Sequence, residues 1–341
     1  MTKDAVFRIA SMTKPVTGVA IMMMMEEGRL RITDPVSKYI PAFKDLKVAI
    51  AQPRQGPPAG ADEPARLNYY SVPAEREVTI RDLLTHVSGL ASGAMSNDSI
   101  RRGELTRKPT DTLADYIPRL GKSSLEFQPG SRWTYSPQAG FDTLGRIVEI
   151  TSGQPFDQFL RQRLFEPLGI KEAAFYPTPE LEPRMVTAYQ LDPKGKAAKN
   201  PNSGGMQSKV YFMGSGGLIT TAEEYAKFAQ MLVNGGALNG KRYLSPKTVE
   251  LMTSNATGDM VNGQFGRPAK GMGFALGVQI WLDPVAADRR VSAGAFGWEG
   301  AYGTHQVMDP AEKMVEIIMM QGANGPLQRD FENAVRQAMI D

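Results

Sequence analysis

A serine and a lysine stand three residues apart near the start of the chain, in Ser11-Met12-Thr13-Lys14. If this segment is helical, positions i and i+3 share one face, so a potential nucleophile and a potential base are neighbours. A helix N-terminus also favours negative charge that develops on a serine oxygen. The spacing therefore indicates a covalent serine hydrolase that needs no histidine. About one S-x-x-K pattern is expected by chance in a chain of this composition, so other residues must support it.

Tyr135 is the third residue that fits this chemistry, because it lies just before a predicted helix in Arg132-Trp133-Thr134-Tyr135-Ser136-Pro137. A phenol beside the positive charge of Lys14 can serve as a second base or as a proton donor. Taken singly, a serine before a buried helix is usually an N-cap, and a loop tyrosine is usually a packed ring. The joint arrangement favours catalysis, and it leaves open which of Lys14 and Tyr135 takes the proton.

Composition excludes several other chemistries. The chain has no cysteine, which excludes thiolate catalysis, disulfides and cysteine-based zinc sites. It has two histidines without H-x-x-x-H spacing and no G-x-S-x-G elbow, so we expect structural histidines, no metal and no cofactor. The net charge of +3, without any Lys/Arg run, gives no reason to expect nucleic acid as a partner.

The first helix is predicted from Ser11 to Glu27, where Gly28 supplies a natural stop. It is apolar on nearly all sides, which predicts burial at the centre of the protein. Residues 52–76 are rich in proline, glycine and alanine and are interpreted as a surface excursion. Residues 170–210 are rich in proline, lysine and asparagine, with weak strand signals near Met185–Leu191. Further helices are predicted at Ile80–Thr85, Thr112–Leu120, Ala139–Thr151, Phe156–Leu164 and Pro326–Ile340.

The last third of the chain has the alternation of strands. Strands are predicted at Phe274–Leu282, Arg289–Ala295, Gly303–Met308 and Lys313–Gln321, the last two flanking a hairpin turn at Asp309-Pro310. Helices in the middle and strands at the end predict an α+β fold, with an antiparallel sheet packed between helices.

Four segments together resemble a known family. Their order and spacing over residues 4 to about 320 are similar to those of the β-lactamase-like serine hydrolases, which include class C β-lactamases, DD-peptidases and family VIII carboxylesterases. The segments are Phe7-Arg8-Ile9-Ala10-Ser11-Met12-Thr13-Lys14, Leu83-Leu84-Thr85-His86-Val87-Ser88-Gly89-Leu90, Tyr135-Ser136 and Gly214-Ser215-Gly216-Gly217-Leu218.

The resemblance implies a β-lactamase/transpeptidase-like α+β fold with a mainly helical second lobe. Residues 1–50 with 205–341 would form an α/β lobe and residues 51–204 the helical lobe, with the site at their interface. The resemblance also implies that Ser11 forms an acyl-enzyme while Lys14 and Tyr135 handle its proton. The counterpart of the family's Lys-Thr-Gly motif is Trp298-Glu299-Gly300, which makes these three residues candidates for substrate binding. The oxyanion hole would be the backbone N–H groups of Ser11 and Ala301.

Two departures from the family pattern bear on the substrate. The Tyr-x-Asn motif of the β-lactamases is replaced by Tyr135-Ser136-Pro137, and the third motif has lost the lysine that helps to hold a β-lactam carboxylate. Both changes favour an uncharged ester, so we expect a carboxylesterase acting on short-chain esters with weak β-lactam hydrolysis. The alternatives are a β-lactamase or D-amino-peptidase, or a penicillin-binding-type module with little turnover. Glu299 either points away from the site or disfavours anionic substrates.

Expectations for partners follow from the ends and the hydropathy of the chain. Family members usually carry a helix and two strands before the nucleophile, whereas ten residues precede Ser11. We therefore expect an uncovered sheet edge and a homo-oligomer. The longest apolar run, Val19 to Met25, is too short for a membrane span, and no secretory signal is visible. These features favour a cytoplasmic location, with a small-molecule ester or β-lactam as the substrate.

Overall fold

A five-stranded antiparallel sheet, in the order β10-β11-β12-β13-β14, dominates the C-terminal part of the fold. The computed structural model describes residues 1–53, 67–192, 194, 196–200, 209–261, 270–322 and 325–339. In chain order, its strands are β1 Phe7–Arg8, β2 Lys47–Ala51, β3 Tyr69–Pro73, β4 Ala173–Ala174, β5 Tyr189–Leu191, β6 Ala197–Lys199, β7 Ile219–Thr220, β8 Ala237–Leu238, β9 Lys241–Arg242, β10 Met272–Phe274, β11 Gln279–Trp281, β12 Phe296–Glu299, β13 His305–Asp309 and β14 Met314–Ile318.

The α-helices occur from the N-terminal part of the described chain to its end. They are α1 Thr13–Glu26, α2 Ile80–Leu84, α3 Asp98–Arg101, α4 Leu113–Tyr116, α5 Ala139–Ser152, α6 Phe156–Leu160, α7 Glu166–Leu168, α8 Ala222–Val233, α9 Pro246–Met252 and α10 Gly325–Gln337. Together with the antiparallel sheet they confirm the predicted α+β fold. The division into residues 1–50 with 205–341 and residues 51–204 stays a prediction. No helix in the described ranges is long and apolar enough to cross a membrane.

Helix α1 is buried along most of its length, as its composition predicts. Every residue from Thr13 to Met24 is buried, and α1 packs against α5 and α9. An apolar surface on all sides is stable only where every side meets other protein atoms. Consequently the first turn of α1, which carries Lys14, is held at the centre of the molecule rather than at its surface.

Two helices flank the sheet. Helix α8 packs against β13 and β14. Its Phe228 and Met308 of β13 belong to one buried core cluster, and alternation along β13 puts Met308 on the face opposite to that of Asp309, which α10 contacts. Helix α10 is held by a buried ion pair from Arg336 to Asp309 on β13, at 2.9 Å, and by a second to Glu316 on β14. Neither α8 nor α9 is predicted above, although Thr221 and Ser245 cap them with the hydroxyl signal typical of helix starts.

Three local predictions for strands and loops are wrong. The segment Phe274–Leu282 is not one strand, because Gly277, at φ +91°, turns the chain between β10 and β11. The segment predicted as a strand at Arg289–Ala295 is a loop that leads into β12. The excursion at residues 52–76 contains β3, which pairs with β2 from Lys47↔Pro73 to Ala51↔Tyr69. Part of that excursion, 54–66, lies outside the described residues.

Replacing Arg336 with methionine is expected to destabilise the fold, because it leaves the Asp309 and Glu316 carboxylates buried without their cation. Burial already raises the pKa of the Glu316 carboxyl, so protonation of that group limits the loss. We expect about 3 kcal/mol of unfolding free energy to be lost, measured by denaturant titration. The control is Arg329→Met on the same helix, where an exposed pair with Asp288 is expected to contribute less than about 1 kcal/mol. Equal effects of the two variants would contradict this account of α10.

Candidate active site

Ser11 lies in a single 3-10 turn, Ala10–Met12, between β1 and α1. Ala10 has φ +43°, an uncommon conformation for a residue with a side chain. The turn is held in place by neighbouring backbone, since the N–H of Ile9 donates to the carbonyl of Leu218 at 3.1 Å. Such strain persists only where the surrounding structure imposes it, and it clusters at functional sites. Ser11 is therefore presented on a fixed, strained turn rather than on a mobile loop.

The Lys14 side chain is fully buried, and its ammonium group makes three hydrogen bonds. It donates to Ser11 Oγ at 3.0 Å, to the carbonyl of Pro137 at 2.9 Å and to the carbonyl of Ser215 at 2.7 Å. An ammonium has three N–H donors, so each one has an acceptor. The two carbonyls fix the nitrogen, and the third donor is directed at the Ser11 hydroxyl.

Tyr135 contacts the same hydroxyl from another side. Its phenol donates to Ser11 Oγ at 2.7 Å, and the Lys14 nitrogen lies 5.0 Å from the centre of its ring. The ring packs against His86 and Trp298, with centroids at 4.7 and 5.4 Å. Aromatic packing of this kind restricts the ring and thereby aims the phenol oxygen. The structure thus brings together Ser11, Lys14 and Tyr135, which the sequence suggests as a catalytic group.

This geometry has a direct chemical consequence for the serine. When Lys14 and Tyr135 are both protonated, Ser11 Oγ accepts a hydrogen bond from each. If either group gives up a proton, its hydrogen bond reverses and it accepts the proton of the Ser11 hydroxyl instead. The serine is then activated for attack on a carbonyl, while the other group remains a donor for the leaving group.

Asp142, in the first turn of α5, is a buried residue of the site that sequence reasoning misses. It accepts the N–H of Ser215 at 3.0 Å and the hydroxyl of Tyr211 at 2.9 Å. Burial raises the pKa of Asp142, and these hydrogen bonds together with the charge of Lys14 oppose the rise. By holding Ser215, Asp142 positions one of the two carbonyls that fix Lys14. A signal was present, since Asp142 interrupts the apolar segment Ala139–Leu144.

His86 supports the tyrosine loop. It is buried, and its Nδ1 accepts the N–H of Ser136 at 3.2 Å. Burial and the nearby charge of Lys14 lower the pKa of His86 far below its ordinary value, so the ring is neutral. His305 is also buried and lies 3.9 Å from the Glu299 carboxylate. His86 therefore acts on the backbone of the tyrosine loop rather than on the Ser11 hydroxyl.

A cavity of about 410 Å³ opens beside Ser11. Its walls include Ala301, Tyr302, Ser215 and Arg8, so it spans the distance from the serine turn to the end of β12. A cavity of this size accommodates a small organic ligand. Ala301, predicted to provide an oxyanion N–H, lines the cavity together with Ser11.

The three residues of the predicted third motif are spread over different surroundings. Trp298 packs on Tyr135 and Phe274 behind the site. Glu299 lies on the other face of the sheet and lines a separate cavity of about 480 Å³. Gly300 allows close approach of the backbone, because a Cβ there would lie 2.4 Å from the carbonyl oxygen of Ile9. None of the three lines the Ser11 cavity, and their part in substrate binding stays a prediction.

The fold and the S-x-x-K geometry define a serine hydrolase of the β-lactamase type. The family model for Beta-lactamase matches residues 1–338. The chain belongs to the Beta-lactamase family, which confirms the predicted resemblance.

Several known proteins are similar to the chain over nearly its whole length. Protein Rv1367c of Mycobacterium tuberculosis is 35% identical over 330 residues, which cover 94% of this chain and 78% of the relative. Esterase EstB of Burkholderia gladioli is 27% identical over 360 residues, covering 98% and 83%. The solved structure of EstCE1, described as a hydrolase with promiscuous acyltransferase activity, superposes with a TM-score of 0.76 at 24% identity, covering 98% of this chain and 86% of EstCE1.

Proposed function

We propose that the protein is a carboxylesterase that forms an acyl-enzyme on Ser11 and acts on short-chain esters. The observation that carries this proposal is the convergence of Lys14 and Tyr135 on one serine oxygen, at 3.0 and 2.7 Å, at the edge of an open cavity. In this arrangement one group takes the proton of the serine, and the other group gives a proton to the departing alcohol.

The reaction takes two steps in this proposal. Ser11 Oγ attacks the ester carbonyl while Lys14 or Tyr135 takes its proton, and the oxyanion is stabilised by the N–H groups of Ser11 and Ala301. The C–O bond to the alcohol then breaks, and the alcohol leaves with a proton from the other of these two groups. That group takes a proton from the water that attacks the acyl-enzyme, and the first group returns its proton to Ser11 Oγ as the acid is released.

Two features support an ester in preference to a β-lactam. Pro137 occupies the place of an amide side chain in the Tyr-x-Asn motif, and its carbonyl is bonded to Lys14. Trp298 replaces the cationic lysine of the third motif with an apolar ring. The names of EstB and EstCE1 describe an esterase and a hydrolase, which agrees with this choice. Slow turnover of some β-lactams is expected, since acylation would use the same groups.

The test compares hydrolysis of p-nitrophenyl acetate and butyrate with that of a chromogenic cephalosporin and a D-alanyl-D-alanine peptide. Intact mass spectrometry of quenched reactions, followed by peptide mapping, locates the acyl group. The proposal predicts faster ester turnover and an adduct on the peptide that contains Ser11.

Three results would contradict the proposal. Faster cephalosporin turnover would indicate a β-lactamase, and preferred release of D-alanine would indicate a D-amino-peptidase type of enzyme. A stable adduct on Ser11 without product release would indicate a penicillin-binding-type module with little turnover.

A further inference from the structure

Arg8 is the only charged residue among those that line the Ser11 cavity in the described part of the chain. The remaining lining is apolar or uncharged and polar, with Tyr302, Tyr176 and Gln138 among the latter. A single cation in a partly enclosed, otherwise neutral cavity makes its potential positive, because no acidic side chain in that lining compensates it.

The position of Arg8 in β1 directs it towards the site. Arg8 pairs with Ile219 of β7, and Ala10 follows it by two residues. All three residues line the cavity. Arg8 and Ser11 line one cavity of about 410 Å³. A small ester that fills this cavity can therefore contact the cation and the Ser11 hydroxyl with different parts of one molecule.

The hydrogen bonds of Arg8 leave room for a ligand. Among the described residues its guanidinium donates to one acceptor, the carbonyl of Val186, at 3.3 Å. Within the described residues no carboxylate pairs with it, and Tyr302 is the neighbouring titratable group. A guanidinium has five N–H donors in a planar fork that matches the two oxygens of a carboxylate.

Arg8 is half-buried, which strengthens its interaction with an anion. Burial lowers the pKa of its guanidinium, but an arginine stays charged at neutral pH. Other arginines differ from Arg8, because their guanidinium groups form ion pairs within the protein. Examples are Arg76 with Asp82 and Arg184 with Glu172.

We infer that the Ser11 cavity binds a carboxylate of the substrate at Arg8, so that the preferred esters carry a carboxylate on the acyl or the alcohol part. The inference rests on the proposed function, whose substrate class it narrows. It departs from the uncharged ester that the loss of the third-motif lysine favours, because Arg8 on β1 supplies a cation at a wall other than that of Trp298 on β12. The anion would then be held at a different wall from the one that β-lactamases use.

The experiment uses two matched substrate pairs. On the acyl side, p-nitrophenyl valerate is compared with mono-p-nitrophenyl glutarate, which replaces the terminal methyl with a carboxylate. On the alcohol side, 4-nitrophenyl butyrate is compared with 3-carboxy-4-nitrophenyl butyrate. Values of kcat/KM, corrected for spontaneous hydrolysis, are measured for wild type, Arg8→Gln and Arg8→Lys.

We expect wild type to prefer the charged member of at least one pair, and Arg8→Gln to reduce that preference roughly tenfold or more. Arg8→Lys keeps the charge without the fork and is expected to fall between the two. Arg290→Gln removes the same charge from an exposed loop position and is the control for net charge. Its preference should equal that of wild type.

Loss of the same factor for charged and neutral esters in Arg8→Gln would overturn the inference, because it would indicate a structural role only. Equal wild-type rates within both pairs would overturn it as well. If Arg8→Gln does not fold, competitive inhibition of wild type decides: glutarate should inhibit more strongly than its diamide, and equal inhibition would overturn the inference. In all of these results wild type still hydrolyses valerate faster than the cephalosporin and the D-alanyl-D-alanine peptide, whereas failure of the proposed function would reverse that order or stop product release.

Discussion

Replacing Ser11 with alanine is expected to lower kcat/KM for p-nitrophenyl butyrate by roughly 10⁴- to 10⁶-fold, the loss seen when a catalytic unit loses its nucleophile. The hydroxyl of Ser11 accepts a hydrogen bond from Lys14 and another from Tyr135. Without it, the two proton-handling groups remain, but they have no nucleophile to activate. The acyl adduct seen by mass spectrometry should disappear with the turnover.

The matched control is Ser215→Ala, because Ser215 is the other serine that lines the cavity. Its carbonyl accepts a hydrogen bond from Lys14 and its N–H donates to Asp142, and alanine keeps both of these backbone groups. We expect this variant to retain most of the esterase activity and the acyl adduct. If Ser11→Ala kept full activity, the assignment of the nucleophile would be wrong. If instead Ser215→Ala lost the adduct, the nucleophile would have to be sought there.

The part of the site that sequence reasoning reached is the part that depends on local spacing or residue type. Ser11 and Lys14 are one turn apart, so their contact follows from the start of a helix. Tyr135 lies 124 residues from Ser11, and its inclusion rests on a motif resemblance rather than on spacing. The buried first helix was predictable as well, because an apolar surface on all sides has one stable environment.

The remaining features of the site could not be predicted from the sequence, because they depend on contacts between segments that are distant along the chain. Asp142 acts on Lys14 through the backbone of Ser215, which no pattern along the chain reveals. The face on which Glu299 lies depends on the register of β12 against β13, where it pairs with His305. A shift of one residue would exchange the surroundings of Trp298 and Glu299. Likewise, Arg8 is informative because the other described residues that line the cavity carry no charge. The sequence does not show which residues line that cavity.

Lys14→Met is expected to be the second most damaging change, with kcat/KM for p-nitrophenyl butyrate falling by roughly 10²- to 10⁴-fold. Methionine is similar in length and apolar, so the buried side chain is replaced without a large cavity. The carbonyls of Pro137 and Ser215 lose their donor, and Asp142 loses a nearby cation. We therefore also expect a loss of about 1–3 kcal/mol of unfolding free energy, measured by denaturant titration.

A double-mutant cycle with Tyr135→Phe separates catalysis from this structural effect. Phenylalanine keeps the ring between His86 and Trp298 and removes the phenol that contacts Ser11, so its stability should change little. Groups that act on one proton as a unit have non-additive effects. The double variant should therefore lose about as much kcat/KM as the worse single variant. Additive losses would mean that Lys14 and Tyr135 act in separate steps, and a fully active Lys14→Met enzyme would remove the lysine from the mechanism.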